Sequence, residues 1–322
     1  MRAAPTPPIA PRSAEPSARL LVFAFASVYL IWGSTYLAIR FAIETLPTFT
    51  MIGVRFLAGG AAMLAYAGAR GESAPSARQW RDGAITGILM MGGGTGTVAW
   101  AEHRIHSNVA ALMVATLPLW MVVLEGLRTR TRGIAPHVAI GIALGFGGVA
   151  LMVKPAGDAV VARDIDPLGA GSVLAATLFW AMGSIYARHA PLPRSPFVTA
   201  GMQTACGGTA LILFGLLAGE GGALDWRVFS AKSVLALLYL IVLGNGAFIA
   251  YAWLLKVSTP ARVSTYAYVN PLVAIVLGWM LADEILTPVQ LAGAGLIVAA
   301  VALIIKYNRP RSPGRVHSKE RA

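Results

Sequence analysis

From residue 20 to residue 306 the chain alternates between apolar runs and short polar connections. Ten runs stand out, over 20–40, 48–67, 84–102, 108–127, 134–153, 168–187, 197–217, 233–254, 261–281 and 288–306. Each is about 20 residues long, and at about 1.5 Å of rise per residue a helix of that length crosses a hydrocarbon core of about 30 Å. Polar residues inside the runs do not alternate with apolar ones, as barrel strands would require. A helix is the conformation in which a lipid-buried backbone satisfies its own N–H and C=O groups. The pattern therefore predicts an all-α integral membrane protein with ten transmembrane helices. The first run is kept as a helix rather than a secretory leader, because it ends in Trp32, Tyr36 and Arg40 without a small-residue cleavage site.

Composition agrees with that class. The chain is 57% hydrophobic and 12% charged, whereas soluble domains are about 45–50% apolar and about 25% charged. A net charge of +12 would ordinarily suggest nucleic acid. The cations here sit in short connections between apolar runs, where they orient a membrane protein instead, so no nucleic-acid partner is expected. With the N-terminus in the cytoplasm, nineteen Lys and Arg residues fall on the cytoplasmic side and six on the other, while Arg55 lies inside a run. That asymmetry places both termini in the cytoplasm. Cys206 is the only cysteine, so no internal disulfide forms.

The two halves of the chain are similar at an offset of about 150 residues. GGGTGTVAW, from Gly92 to Trp100, lies over NGAFIAYAW, from Asn245 to Trp253, and at the same offset Pro118 falls on Pro271. With one residue slipped, VALMVK at Val149 meets VALIIK at Val301, and the Trp32–Arg40 spacing recurs at Trp180–Arg188. Each half holds five runs, an odd number, so similar halves must cross the membrane in opposite senses. Inverted repeats of this kind belong to alternating-access transporters, whose substrate site lies near the midplane between the halves.

Several segments resemble the EamA-type permeases of the drug/metabolite transporter superfamily. They are WGSTYLAIR (Trp32 to Arg40), VRFLAGG (Val54 to Gly60), AWAEH (Ala99 to His103), ATLPLW (Ala115 to Trp120) and STYAYVNPLVAIVLG (Ser264 to Gly278). The resemblance covers the chain except its two tails. It implies ten helices as two inverted five-helix repeats, a central cavity, and secondary transport, usually export, of amino acids, other metabolites or drugs across a bacterial inner membrane. The resulting division is a disordered cytoplasmic tail at 1–18, a first repeat at 19–155, a linker at 156–167, a second repeat at 168–306 and a basic cytoplasmic tail at 307–322. The partners expected are a small-molecule substrate, the bilayer and, as a coupling ion, the proton.

Candidate functional residues are those that cost most to place in a bilayer. Arg55 lies about 10 Å into the second run, and an ionisable group at that depth marks a functional site or a structural partner such as Glu44. Glu102 and His103 end the third run. A carboxylate beside an imidazole is suited to carrying a coupling proton, or to a purely structural end cap. An ion pair between Arg55 and Glu102 would close the outer side as a gate. Trp32, Tyr36, Trp100, Trp180, Tyr251, Tyr266 and Tyr268 supply rings, and Asn245 and Asn270 supply amides that need a cavity or a partner helix. Pro118 and Pro271 each leave a carbonyl one turn earlier without its usual donor. Lined by these groups, a cavity would suit aromatic or amphipathic compounds; helix packing is the plainer account of the same residues.

Other chemistry finds little footing. GGGTG at Gly92–Gly96 lacks the Lys-Ser/Thr of a phosphate loop and reads as a bendable or closely packed helix. Neither metal-ligand spacing nor a nucleophile–base pair is present, so no cofactor, metal or enzymatic activity is expected. A membrane-embedded enzyme, or a membrane sensor or assembly protein, is the alternative to a transporter, and a channel would need a charged ring or carbonyl filter.

Overall fold

The computed structural model describes residues 17–129, 136–153, 165–258 and 266–307, and among these the regular structure is entirely helical. In chain order the helices are α1 (Ala18–Ala42), α2 (Thr48–Ala69), α3 (Ala77–Gly87), α4 (Thr97–Ala101), α5 (Ser107–Val114), α6 (Leu117–Thr129), α7 (Pro136–Val153), α8 (Pro167–His189), α9 (Pro196–Leu217), α10 (Ala231–Tyr239), α11 (Asn245–Val257), α12 (Tyr266–Ala282) and α13 (Pro288–Tyr307). Two π-helical stretches, Ile88–Gly96 and Leu240–Gly244, join α3 to α4 and α10 to α11. Among the described residues six helical segments are long and apolar enough to cross a membrane, and Ala139–Met152, Val269–Ala282 and Pro288–Ala300 are shorter apolar helices. The expected tails and most of the linker, residues 1–16, 154–164 and 308–322, lie outside the described residues, as does the start of the run expected at 261.

Several helix starts follow from local caps. Ser76 and Gln79 form a reciprocal capping box that starts α3 at Ala77, ahead of the apolar run expected from 84. Asp166 caps α8 through the N–H groups of Leu168 and Gly169, with Pro167 in the first turn, and Ser195 with Pro196 does the same for α9. The run expected over 108–127 is interrupted between Val114 and Leu117. Pro118 explains the break, since it offers no N–H to the carbonyl one turn back.

Among the helices that begin after a connection, α2 and α5 have no side-chain cap of their own. Pro47 precedes α2 and His106 precedes α5, and neither side chain bonds the exposed N–H groups. Carboxylates from distant connections do so instead. Glu220 accepts from the N–H groups of Phe49 (2.9 Å) and Thr50 (2.8 Å) and from the Thr50 hydroxyl (2.8 Å). Glu284 accepts from the N–H groups of Ser107 (2.9 Å) and Asn108 (3.0 Å) and from the Ser107 hydroxyl (2.8 Å). An anion at a helix N-terminus is favourable, and these two also tie together segments far apart in sequence.

These bonds, with Lys232 to Glu44 (2.7 Å) and Thr45 to the Ser230 N–H (3.0 Å), gather the connections 43–47, 102–106, 218–230 and 283–287 at one end of the bundle. The opposite end is marked by Arg128 with His189 (2.7 Å) and by Tyr186 donating to Asp82 (3.1 Å).

Helix packing is reciprocal. The two most extensive pairings are α2 with α9 and α7 with α13. Around them, α1 packs against α10, α11 and α12, while α8 packs against the first π-helical stretch, α4 and α6. Both main pairings are backbone-close. A Cβ on Gly53 would lie 2.7 Å from the Gly208 carbonyl oxygen, one on Gly60 would lie 2.8 Å from the Gly201 oxygen, and Gly148 and Gly293 would each meet the other's oxygen at 2.6 Å. In lipid, where association rests on close packing rather than on expelling water, small residues are what permit such contacts.

Candidate functional site

Where α1 and α8 face each other across the bundle, a cleft of about 820 Å³, its open mouth included, remains between the helices. On one side α1 contributes Trp32, Thr35, Tyr36 and Ile39, and α8 contributes Ala176, Thr177 and Trp180. The first π-helical stretch and α4 add Gly94, Thr95 and Val98, and α2 adds Arg55 and Phe56. Val114 and Leu117 flank the break between α5 and α6, and Phe248, Tyr266 and Asn270 complete the wall from α11 and α12. Six of the residues singled out from sequence therefore meet in one cavity: Trp32, Tyr36, Arg55, Trp180, Tyr266 and Asn270.

The wall is aromatic on one side. Trp32 contacts Phe248, Tyr251 and Tyr266 with ring centroids 4.9, 5.1 and 5.3 Å apart. The indole Nε1 of Trp32 is buried with no hydrogen-bond partner. Asn270 is 7% exposed, and with its amide nitrogen turned to the carbonyls of Tyr266 (3.1 Å) and Tyr29 (3.3 Å) it bridges α12 to α1. Thr35 and Thr177 donate their hydroxyls to the carbonyls of Trp32 (2.6 Å) and Leu174 (2.8 Å).

Arg55 is the one charged residue among those lining the cleft. It is 4% exposed, its Nε and Nη1 have no acceptor, and among the described residues no carboxylate stands within 4.0 Å of it. Its guanidinium lies 4.9 Å from the Phe56 ring centroid. Glu44, the structural partner considered from sequence, is taken by Lys232. The Arg55–Glu102 gate pair expected from sequence is not formed either. Glu102 ends α4 on the side of Arg40, whose Nη1 donates to the Glu102 backbone oxygen at 2.6 Å, whereas Arg55 points into the cleft.

The Glu102 carboxylate is fully buried, and neither of its oxygens has a hydrogen-bond partner. Next to it the His103 ring meets the Thr48 hydroxyl at 2.7 Å. Burial pushes the imidazole below its usual pKa, and the neighbouring Arg40 pushes in the same direction against Glu220. Glu102 and His103 thus stand side by side at one end of the bundle, and neither lines the main cleft.

The remaining candidates lie elsewhere. Asn245 donates to the backbone oxygens of Arg55 (3.1 Å) and Ile241 (2.9 Å), so it clamps α2 to the second π-helical stretch rather than facing the cleft. Gly59 makes this possible, since a Cβ there would fall 2.3 Å from the Asn245 amide carbon. Trp100 lies 4.8 Å beneath the Arg104 guanidinium, and Tyr251 backs the aromatic cluster. Pro118 stands at the helix break and Pro271 inside α12. The Tyr268 side chain lies outside the described residues. Sequence reasoning missed Thr95, Leu117 and Phe248, although a signal existed. Thr95 and Phe248 sit at equivalent positions of the matched GGGTGTVAW and NGAFIAYAW segments, and Leu117 and Asn270 each precede one of the matched prolines.

Comparison with known proteins adds a family to this geometry. The model of the EamA-like transporter family matches residues 19–154 and again 167–306. The chain is 36% identical over 297 residues to the uncharacterized inner membrane transporter YedA of Escherichia coli (strain K12), covering 90% of this chain and 92% of that one. It is 24% identical over 304 residues to a probable terminal-alkyne amino-acid exporter of Streptantibioticus cattleyicolor, covering 91% and 98%. Among solved structures, one superposes with a TM-score of 0.58 at 22% identity, covering 89% of this chain and 96% of the other, which is a likeness of fold.

Proposed function

Because the chain belongs to the EamA-like transporter family, we propose that it is a secondary transporter of the inner membrane that exports small metabolites, such as amino acids or amphipathic drug-like compounds, by alternating access through the central cleft. The observation that carries this reading is the cleft itself. It lies between segments of both halves, is walled by rings, and holds a buried cation that no carboxylate among the described residues pairs and whose Nε and Nη1 have no acceptor. Burying an unpaired cation in a membrane protein costs about 3 kcal/mol or more. A site that binds a ligand group gives a reason to keep it.

The reading includes ten transmembrane helices in two inverted halves with both termini cytoplasmic. In its support, α2 pairs with α9 and α7 with α13, while the neighbours of α1 and α8 correspond when the halves are exchanged. Each half also carries one π-helical stretch, the first overlapping GGGTGTVAW and the second ending at Gly244, just before NGAFIAYAW. Opening one end while closing the other would then be a rocking of one half against the other about the glycine-lined pairings.

The test is uptake into sealed liposomes holding purified protein, with labelled amino acids, organic acids and lipophilic cations, with and without a pH gradient. Saturable uptake of one class, lost when Trp180 and Tyr266 are replaced by Ala, supports transport through this cleft. Folded protein that moves none of them counts against it. Cysteines placed at Glu72 and Asp225 in a Cys206→Ser background test the orientation, with labelling from outside the cell expected at position 225 only.

A second part of the reading is proton coupling at Glu102. What favours it is a fully buried carboxylate whose two oxygens accept no hydrogen bond. A carboxylate in that setting is most easily accommodated with a proton on it, and one that exchanges its proton between states links a gradient to opening.

A further inference from the structure

We propose that the ligand of the central cleft is a small organic anion, with one carboxylate on a planar apolar body, in preference to a zwitterion or a cation. The proposal rests on the transport reading above and names its substrate class.

Charge balance carries the argument. Arg55 is the only charged side chain lining the cleft among the described residues, and no acidic residue lines it. Two guanidinium nitrogens are buried without acceptors, and the indole N–H of Trp32 is a further buried donor without one. The donors of Thr35, Thr177 and Asn270 are already spent on backbone carbonyls. What the wall lacks is thus an acceptor carrying negative charge. A carboxylate supplies it, and its two oxygens match the forked geometry of a guanidinium.

A ligand cation would share a buried space with Arg55 and meet no counter-charge. A zwitterion would satisfy the guanidinium but bring an ammonium, so the occupied cleft would keep the net charge of the empty one. An anion leaves it neutral, which is the cheapest state for a low-dielectric site. The rest of the ligand is read from the other wall, where Trp32, Phe248 and Tyr266 pack edge to face and Trp180 stands opposite on α8. Such rings offer wide apolar contact to a flat body.

Four compounds sharing one ring separate the possibilities: hydrocinnamate, its primary amide, phenylalanine and phenethylamine. Binding to purified protein is measured by titration calorimetry, and uptake by proteoliposomes at about pH 8, where the acid is ionised, with protein-free liposomes subtracted. Hydrocinnamate is expected to bind about tenfold or more tightly than each of the other three, with the preference lost in Arg55→Gln and partly kept in Arg55→Lys. Removing an unpaired buried charge should leave Arg55→Gln at least as heat-stable as the parent, so lost binding would not reflect lost folding. Binding of phenylalanine or phenethylamine as tight as that of hydrocinnamate overturns the proposal, as does hydrocinnamate binding indifferent to Arg55→Gln, or no binding of any of the four. Arg55-independent uptake of phenethylamine would sink the substrate class and leave transport standing. Arg55-dependent binding of hydrocinnamate with no uptake of any compound would support the class and count against transport.

Discussion

Glu284 holds the first turn of α5 from the far side of the chain: its carboxylate accepts the Ser107 N–H at 2.9 Å and the Ser107 hydroxyl at 2.8 Å. The residue is 4% exposed, and the same carboxylate also takes the Asn108 N–H. Glu220 does the equivalent work on α2. In both places a residue of the second half completes a helix of the first half, at the end of the bundle where Glu102 and His103 stand.

Glu284→Gln keeps the shape but replaces a charged acceptor by a neutral one with a single oxygen. A hydrogen bond to a charged group contributes about 1.5–3 kcal/mol, so the variant should lose about that much stability. It should also expose the start of α5, because His106 offers no replacement cap. Thermal unfolding in detergent, with hydrogen exchange at Ser107 and Asn108, checks both. Unchanged protection at these amides would show that the carboxylate is not what holds the turn.

Two adjacent glycines give a sharper comparison. A Cβ on Gly148 would lie 2.6 Å from the Gly293 oxygen, whereas one on Gly147 meets nothing within 4 Å. Gly148→Ala should therefore force α7 and α13 apart at a cost of about 1–3 kcal/mol. Gly147→Ala should be neutral or slightly stabilising, as Ala is the better helix former. The two melting temperatures, measured side by side, decide whether this pairing is as close as described.

That the chain is a membrane protein was legible because lipid leaves the backbone few choices, so apolar runs declare themselves by length; its family was legible only in particular segments such as WGSTYLAIR and STYAYVNPLVAIVLG. Arg55, Trp32 and Asn270 were legible for the related reason that polar or bulky groups in such runs need a purpose. Thr35 was not, being an ordinary helix residue whose role depends on which face meets the cavity, while Leu117 and Phe248 were marked only by their places in the internal repeat. Asn245 shows the limit from the other side: its amide looked like a cavity group, but the missing side chain at Gly59 lets it seat against the α2 backbone. The links from Glu220 to α2 and from Glu284 to α5 join positions more than a hundred residues apart. No local pattern announces them.

His103 provides a pH test outside the apolar spans. Burial and Arg40 lower its pKa below the ordinary imidazole value of about 6.5. The folded state thus prefers the neutral ring, and the unfolded chain binds the proton more readily. The stability this contributes is fully present above about pH 6.5 and is lost as pH falls through the depressed folded value. His103→Gln should flatten that part of the curve. A melting profile between about pH 5 and 8 that is identical in parent and variant would show that His103 does not set it.

The coupling role proposed for Glu102 can be separated from its energetics by one substitution. A buried carboxylate with neither oxygen hydrogen-bonded is costly when ionised, and an amide of the same shape removes that cost. Glu102→Gln should therefore fold normally and be no less heat-stable than the parent. Under the coupling role proposed for it, its effect should fall on coupling: exchange of labelled for unlabelled substrate across the liposome membrane continues, while uptake driven by a pH gradient drops about tenfold or more. Exchange needs no net proton movement, so a structural role for Glu102 would damage both measurements together. If gradient-driven uptake survives in a variant whose exchange is intact, the coupling proton travels by another group, and the orphaned carboxylate at the end of α4 is a feature of packing alone.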